Sequence, residues 1–329
     1  MAIARRERTL YRELIRAAWE LTWHRKEFWV LGFFAAFLGN GGAVDAILRA
    51  AGKISSAIPF LEGYAYTRSV YVVLLYGTFA ERATIILTLL IVITVGALVV
   101  IAAISSMGGI IHAAARRVGR QKVAPRAALI EGTMRFWPLL LIQFLGRTLT
   151  FALLSLTVAG YFLSSFIVPR AGILYLILFI VFALAALFVS FMMAVSSAAI
   201  VVEDASWAEA VRRAWRLLTG HWLVSLEMIF VLFAIDITVA FGVVAAALIL
   251  TIPFILLFLA ASILGSAIGF IVVATLASLT GLALIVIAGS ALATFQHTAW
   301  TLLYLRIRER TVVGKLERLF RSLRKRAHA

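Results

Sequence analysis

The sequence predicts an all-α, polytopic membrane protein of about six transmembrane helices, arranged as three hairpins with basic, amphipathic lead-in helices on the cytoplasmic side. Of its 329 residues, 64% are hydrophobic and 14% are charged, whereas a soluble domain is about half apolar and a quarter charged. Several uncharged runs exceed the roughly 20 residues that a helix needs to cross ~30 Å of hydrocarbon. The short alternating segments of an outer-membrane barrel do not occur, so helices must satisfy the backbone polar groups.

The formal net charge is +16, and the sequence contains no cysteine. Basic residues beside transmembrane segments stay on the cytoplasmic side and attract anionic lipid headgroups. We therefore expect membrane lipids as partners, other membrane proteins or further copies of the chain as additional ones, and no nucleic acid. Without cysteine, disulfides and cysteine-ligated metals are excluded. The composition favours a prokaryotic cytoplasmic membrane.

The chain begins with a basic amphipathic segment, residues 1–27, which we predict to be a helix in the cytoplasmic interface. Leu10, Leu14, Ala18 and Leu21 fall on one helical face. The first membrane span follows at about 28–48 and contains a GNGG sequence.

Residues 49–83 are of mixed polarity and are predicted to form the main extracytoplasmic connection. The second span, 84–107, has no charged residue, and it completes a first hairpin of about 28–107. A basic cytoplasmic loop follows. Its arginines are expected to anchor the chain to lipid, and they include Arg116, Arg117 and Arg120.

The second hairpin, about 137–201, contains a third span that starts near Trp137 and a fourth span that starts near Gly172. The next segment is EDASWAEAVRRAWRLLTGHW, in which Asp204 or Ser206 can cap a helix that Gly220 ends. We expect this basic helix to lie on the cytoplasmic side and to anchor to lipid through Arg212, Arg213 and Arg216.

The third hairpin, about 222–305, has Glu227 and Asp236 as its only charges apart from histidine. We predict two long tilted spans, 222–250 and 279–305, with a possible re-entrant segment at 252–278. Four crossings of ~21 residues each remain open as the alternative. The basic tail, 306–329, is predicted to be a cytoplasmic helix on the membrane surface, which places both termini in the cytoplasm.

The three lead-ins repeat one design, in which a basic amphipathic helix meets a tryptophan and then a span. Trp29, Trp137 and Trp222 occupy the junctions. An amphipathic ring is most stable at the membrane boundary, so these residues are predicted interface anchors.

Three stretches carry a resemblance to known proteins, namely GFFAAFLGNGG, EDASWAEAVRRAWRLLTGHW and HTAWTLLYLRIRER. They resemble a group of uncharacterised bacterial multi-pass membrane proteins that is similar to the membrane domain attached to some glycerophosphodiester phosphodiesterases. The resemblance implies a six-helix membrane domain with no assigned reaction. The soluble phosphodiesterase domain has no counterpart in this sequence, so its activity does not carry over.

Polar residues inside the spans are the candidate site, because an ionisable group at bilayer depth usually faces a partner or a cavity. Arg147, Asp236 and Gln296 lie at similar depths, counted from the cytoplasmic ends of their spans at 1.5 Å per residue. We predict an Arg147 to Asp236 ion pair with Gln296, Gln143 or His297 nearby. The pair could be a structural contact between helices or a polar site on the path of a solute, lipid or proton.

No catalytic triad, HExxH, phosphate-binding loop or dinucleotide motif occurs at a usable position. The histidines lack the spacing and carboxylate companions of a metal site. We therefore expect no enzymatic activity, cofactor or metal. The sequence favours an accessory, scaffold or assembly protein that packs against lipids or other membrane proteins, with a small-solute or lipid transporter as the alternative.

Overall fold

The computed structural model describes residues 10–38, 71–118, 123–167, 172–220 and 222–308, and within these ranges the fold is helical throughout. The helices are α1 (Leu10–His24), α2 (Phe28–Ala36), α3 (Phe79–Val118), α4 (Pro125–Met134), α5 (Phe136–Ile167), α6 (Gly172–Glu203), α7 (Trp207–Gly220), α8 (Trp222–Ile263) and α9 (Ala267–Arg308). Several predicted features lie outside the described residues: the GNGG sequence, most of the extracytoplasmic connection, Arg120 and nearly all of the basic tail.

Five described helices are long and apolar enough to cross a membrane: α3, α5, α6, α8 and α9. This confirms the predicted all-α, polytopic membrane fold. The count of six is not established, because the predicted first span is described only as far as Leu38. The second span is longer than predicted, since α3 continues to Val118 and places Arg116 and Arg117 on the helix.

The long helices alternate in direction, so the ends of α3, α6 and α9 meet the starts of α5 and α8. We call this side of the bundle the basic end, after its arginines, and the opposite side the apolar end. The hydrophobic core lies near the basic end. At its centre is the last part of α9, which packs against α1, α2, α3, α6 and α8.

Glycines let helices approach closely near the basic end. A Cβ on Gly32 of α2 would collide with Ser290 and Thr294 of α9. A Cβ on Gly132 of α4 would collide with Ser105 of α3 and would lie 2.7 Å from the backbone nitrogen of Gly109. Small residues at such points bring two backbones into contact.

Each predicted lead-in helix packs chiefly against one long helix: α1 against α9, α4 against α3, and α7 against α6. The start of α7 follows the expectation, because the Ser206 hydroxyl accepts a hydrogen bond from the Glu209 amide at 3.4 Å. The three lead-ins thus surround the basic end of the bundle.

The predicted re-entrant segment at 252–278 was wrong. Residues 222–263 form one continuous helix through Pro253, and α9 begins at Ala267. The turn between them contains Gly265 with φ of +59°, a left-handed conformation that glycine adopts without strain. One proline removes a single backbone hydrogen bond, and a membrane helix can tolerate that loss. The region therefore forms two long helices and not four short ones.

Candidate functional site

The interior of the basic end is unusually polar for a membrane bundle. The last part of α9 contributes more of the described buried polar side chains than any other helix: Ser290, Thr294, Gln296, His297, Thr298 and Thr301. Several hydroxyls are satisfied within the helix: Ser290 donates to the Val286 carbonyl at 2.6 Å and Thr301 to the His297 carbonyl at 2.7 Å. Thr294 also donates to the Phe28 carbonyl of α2 at 3.2 Å. This polar stripe therefore helps to join α2 and α9.

Asp236 and Gln296 form the most deeply placed polar contact of the candidate site. The Gln296 amide nitrogen donates to the Asp236 carboxylate at 2.5 Å, and Gln296 and Asp236 are only 2% and 5% exposed, respectively. Gln296 therefore lies beside Asp236, as predicted. The bond joins α8 to α9 across the interior of the bundle.

Gln296 Oε1 and, on the next residue of α9, His297 Nε2 are buried without a hydrogen-bond partner in the described part of the chain. A buried polar atom without a partner costs about 1–3 kcal/mol. Water, a proton or a small polar ligand could supply the missing bonds. In the described ranges, no three acidic, histidine or cysteine residues cluster as metal ligands.

The structure does not form the predicted Arg147 to Asp236 ion pair. The described residues contain no ion pair between them, and the Asp236 carboxylate is bonded to Gln296 instead. Equal depth did not imply contact, because α5 packs chiefly on α6 while α8 packs chiefly on α9.

Gln143 belongs to a different contact from Asp236. Its amide nitrogen lies 3.3 Å from the Met107 sulfur and 3.5 Å from the Ser197 hydroxyl. Gln143 therefore joins α5 to α3 and α6. The five predicted residues therefore lie in two places. Asp236, Gln296 and His297 are on α8 and α9, whereas Gln143 and Arg147 are on α5.

A second polar network lies at the loop between α6 and α7, where the sequence predicted only that Asp204 or Ser206 could cap a helix. Glu203 accepts hydrogen bonds from Tyr304 at 2.6 Å and Arg308 at 3.1 Å, and it pairs with Arg213. We call the network around Glu203 and Asp204 the acidic junction; its other members are Arg135, Arg213, Tyr304 and Arg308.

Asp204 extends the acidic junction to the second lead-in. Its carboxylate accepts from Arg135 at 2.7 Å, and its backbone is left-handed with φ of +51°. Arg135 also donates to Glu131 of α4 at 2.6 Å. The bond from Arg135 lowers the pKa of the Glu131 carboxyl, and the bond to Asp204 raises the pKa of Arg135. The junction thus links α4, α6, α7 and α9.

The acidic pair itself was the sequence signal for this junction. Two consecutive carboxylates interrupt a region whose other charges are mostly arginine. The local pattern indicated helix capping because capping needs only neighbouring residues. Their actual partners are Arg135, Tyr304 and Arg308, which are distant in sequence.

The predicted arginine anchors differ in their surroundings. Arg213 pairs with Glu203 and Glu209, and Arg117 donates to Glu20 of α1 at 2.9 Å. Arg212 and Arg216 are exposed. Arg116 is also exposed on α3. Arg213 and Arg117 thus have intramolecular partners, which the lipid-anchor prediction did not include.

The predicted tryptophan anchors also differ. Trp137 is 72% exposed, whereas Trp29 is partly buried and donates to the Thr22 carbonyl at 2.8 Å. The Trp29 ring meets Trp23 edge-on at 5.3 Å, so it helps to hold α1 against α2. Trp222 begins α8, and its side chain lies outside those described.

None of the family models, curated proteins or solved structures compared with the chain matches it. The resemblance to bacterial multi-pass membrane proteins therefore stays a prediction.

Proposed function

We propose that this membrane protein is an accessory or scaffold protein that acts by lateral packing against another membrane protein, with lipid around the rest of its surface. The observation that carries the proposal is the exposure of the α8–α9 hairpin towards the apolar end. We call residues 237–289 of these two helices the membrane hairpin. Its partly buried positions recur every three to four residues on α8, at 239, 243, 246, 250 and 254. This spacing indicates that one face of α8 packs on α9.

The opposite face of α8 is apolar and exposed along its length. Phe241, Leu248, Ile252, Ile255 and Leu259 share it at helical spacing, and each is 57% exposed or more. A methyl group added at Gly242 or Gly281 would meet no other atom within 4 Å. Open small residues beside large apolar ones suit the close approach of a further helix.

Photo-crosslinking in native membranes tests this proposal. A photoreactive amino acid is placed at Phe241, Leu248 or Ile255 on the exposed face, or at Leu250 or Phe254 on the α9 face as control. We expect the three exposed positions to capture one protein of the same mass, whereas the control positions capture α9 of the same chain.

A second variant tests whether the crosslinking depends on this exposed face of α8. Gly242→Trp places a bulky ring beside the exposed face and is expected to reduce capture at Phe241 by several fold. Lipid adducts alone at all three exposed positions would contradict the accessory role.

Solute or proton transport is the second candidate, and the buried contact between Asp236 and Gln296 favours it, with the unpartnered His297 Nε2 beside it in sequence. Intramembrane ionisable groups often lie on such paths. Proton flux into liposomes that contain the purified chain and a pH-sensitive dye tests this candidate. Flux that is lost in Asp236→Asn and kept in Glu227→Gln would support transport; flux equal to that of empty liposomes would exclude proton conduction.

A further inference from the structure

The exposed face of α7 separates tryptophans from arginines. Trp207 and Trp215 are 46% and 53% exposed, and Arg212 and Arg216 are exposed as well. On a helix of 3.6 residues per turn, Arg212 and Arg216 lie about 40° apart on the side opposite the buried residues, and Trp215 lies about 60° from Arg212. Trp207 is exposed at the start of the helix, about 80° beyond Trp215. We call these four residues the α7 outer face.

The buried side of α7 fixes the orientation of its outer face. Ala210, Ala214 and Leu218 are buried, and α7 packs chiefly against α6. The Trp215 ring meets Phe188 of α6 edge-on at 5.6 Å, and Phe188 lies on the exposed apolar surface of that helix. The Trp215 side of the outer face therefore adjoins apolar surface, and the arginine side lies away from it.

Only two of the three α7 arginines remain available on this face. Arg213 is engaged by Glu203 and Glu209. Arg212 and Arg216 make no ion pair with any residue in the described ranges. They carry positive charge on a chain whose net charge is +16, so the complementary ligand is an anion.

We propose that the α7 outer face binds the headgroups of anionic phospholipids. Arg212 and Arg216 contact the phosphate, whose geometry matches the guanidinium fork. Trp207 and Trp215 lie where headgroups meet acyl chains, the position that an indole ring favours. The proposal needs only that the chain is embedded in a membrane, and it does not depend on the accessory function.

Lipid titration of the purified full-length chain tests the proposal. Phosphatidylglycerol is added to the protein in detergent, with phosphatidylcholine as the neutral comparison, and bound lipids are counted by native mass spectrometry. The double variant Arg212→Gln/Arg216→Gln is expected to weaken phosphatidylglycerol binding roughly 5- to 30-fold, since each basic residue near the surface contributes about 1 kcal/mol. Phosphatidylcholine binding should not change. Arg212→Lys/Arg216→Lys keeps the charge but loses the guanidinium fork, so its affinity for phosphatidylglycerol should lie between those of the wild type and the glutamine variant.

The matched control is Arg12→Gln/Arg126→Gln, which removes the same charge from exposed positions on α1 and α4. We expect this variant to bind phosphatidylglycerol like the wild type. Equal losses in the two double variants would show attraction by net charge alone and overturn the site, as would no loss in the α7 variant. Circular dichroism of all variants checks that folding is unchanged.

Discussion

At the scale of single residues, Glu203 is the charge on which most of the basic end depends. It ends α6, and it contacts one residue of α7 and two of α9. Its side chain is 16% exposed, so water has little access to the carboxylate and cannot readily replace the hydrogen bonds from its partners. A partly buried carboxylate of this kind is costly to remove, because two arginines lose their counter-charge.

Glu203→Gln is expected to lower the free energy of unfolding by about 1.5–3 kcal/mol, the range for hydrogen bonds to charged groups. Unfolding in mixed micelles, followed by circular dichroism, measures the change. Glu209→Gln is the matched control: its side chain is 50% exposed and pairs with the same Arg213, so the expected loss is under about 0.5 kcal/mol. Equal losses would contradict the central place of Glu203.

Asp204 combines a hydrogen bond with a left-handed backbone, and substitutions separate the two. Asp204→Gly removes the bond to Arg135 but tolerates the φ of +51°, so a loss below about 1 kcal/mol is expected. Asp204→Ala adds backbone strain of about 1–2 kcal/mol. The alanine variant should therefore unfold at a lower temperature than the glycine variant; the reverse order would argue against strain at this position.

The contact between Glu131 and Arg135 makes the stability of the basic end depend on pH. The pKa of Glu131 lies below its ordinary value of 4.5 because Arg135 donates a hydrogen bond to it. A carboxylate with a lowered pKa contributes stability above its unfolded pKa and loses that contribution as the pH falls through its folded pKa. The melting temperature of the wild type should exceed that of Glu131→Gln at neutral pH. The difference should begin to shrink below about pH 4.5 and vanish once the pH lies below the lowered pKa of folded Glu131. A difference that does not shrink at all as the pH is lowered would assign it to packing.

At the scale of elements, glycine contacts decide which helices pair. The sequence of α4 predicts an amphipathic lead-in, but its partner α3 is chosen by the close approach of Gly132 to Ser105 and Gly109. Helical periodicity gives the buried face of a helix and leaves the identity of its neighbour open. Depth along the spans has the same limit: it named Gln296 as one of three residues near Asp236, but it paired Asp236 with Arg147, whereas the structure pairs it with Gln296.

Gly132→Ala is expected to destabilise the protein by about 1–3 kcal/mol, the usual cost of overpacking, because its new methyl group would collide with α3. Gly96→Ala is the control, since Gly96 also lies on α3 but has no atom near its Cβ position. That change should be neutral or slightly stabilising, as alanine favours helix. Equal destabilisation in thermal unfolding would contradict the close contact between α3 and α4.

At the scale of the whole molecule, the helices pack around a buried core at the basic end, whereas most of their side chains are exposed towards the apolar end. The buried core and the acidic junction lie at the basic end. Between Ile86 and Ile101, nearly every side chain of α3 is exposed. Lipid covers such a surface without cost, because acyl chains are as apolar as leucine.

Substitutions at the buried contact between Asp236 and Gln296 test whether this contact only stabilises the bundle or forms a functional polar site. Gln296→Leu alone should lower stability by about 1–3 kcal/mol, because it leaves a buried carboxyl without its donor. Asp236→Leu/Gln296→Leu should restore it to near the wild-type value, as apolar replacements of buried polar pairs often do. A stable double variant that has lost a proton flux measured in the wild type would assign the pair to transport. A double variant as unstable as the single one would argue against direct coupling of the two side chains.

By itself, the sequence determined the all-helical membrane fold, the approximate positions of the long helices, and the lead-in helices α1, α4 and α7, and it named Gln296 among three residues expected near Asp236. These follow from apolar length, helical periodicity and depth along a span, which are properties of consecutive residues. Only the tertiary structure decided the continuity of α8 through Pro253, the bond of Asp236 to Gln296 in place of an ion pair with Arg147, and the acidic junction that joins Glu203 to Tyr304 and Arg308. These depend on which helix faces which, because contacts between distant segments are set by packing around the bundle axis.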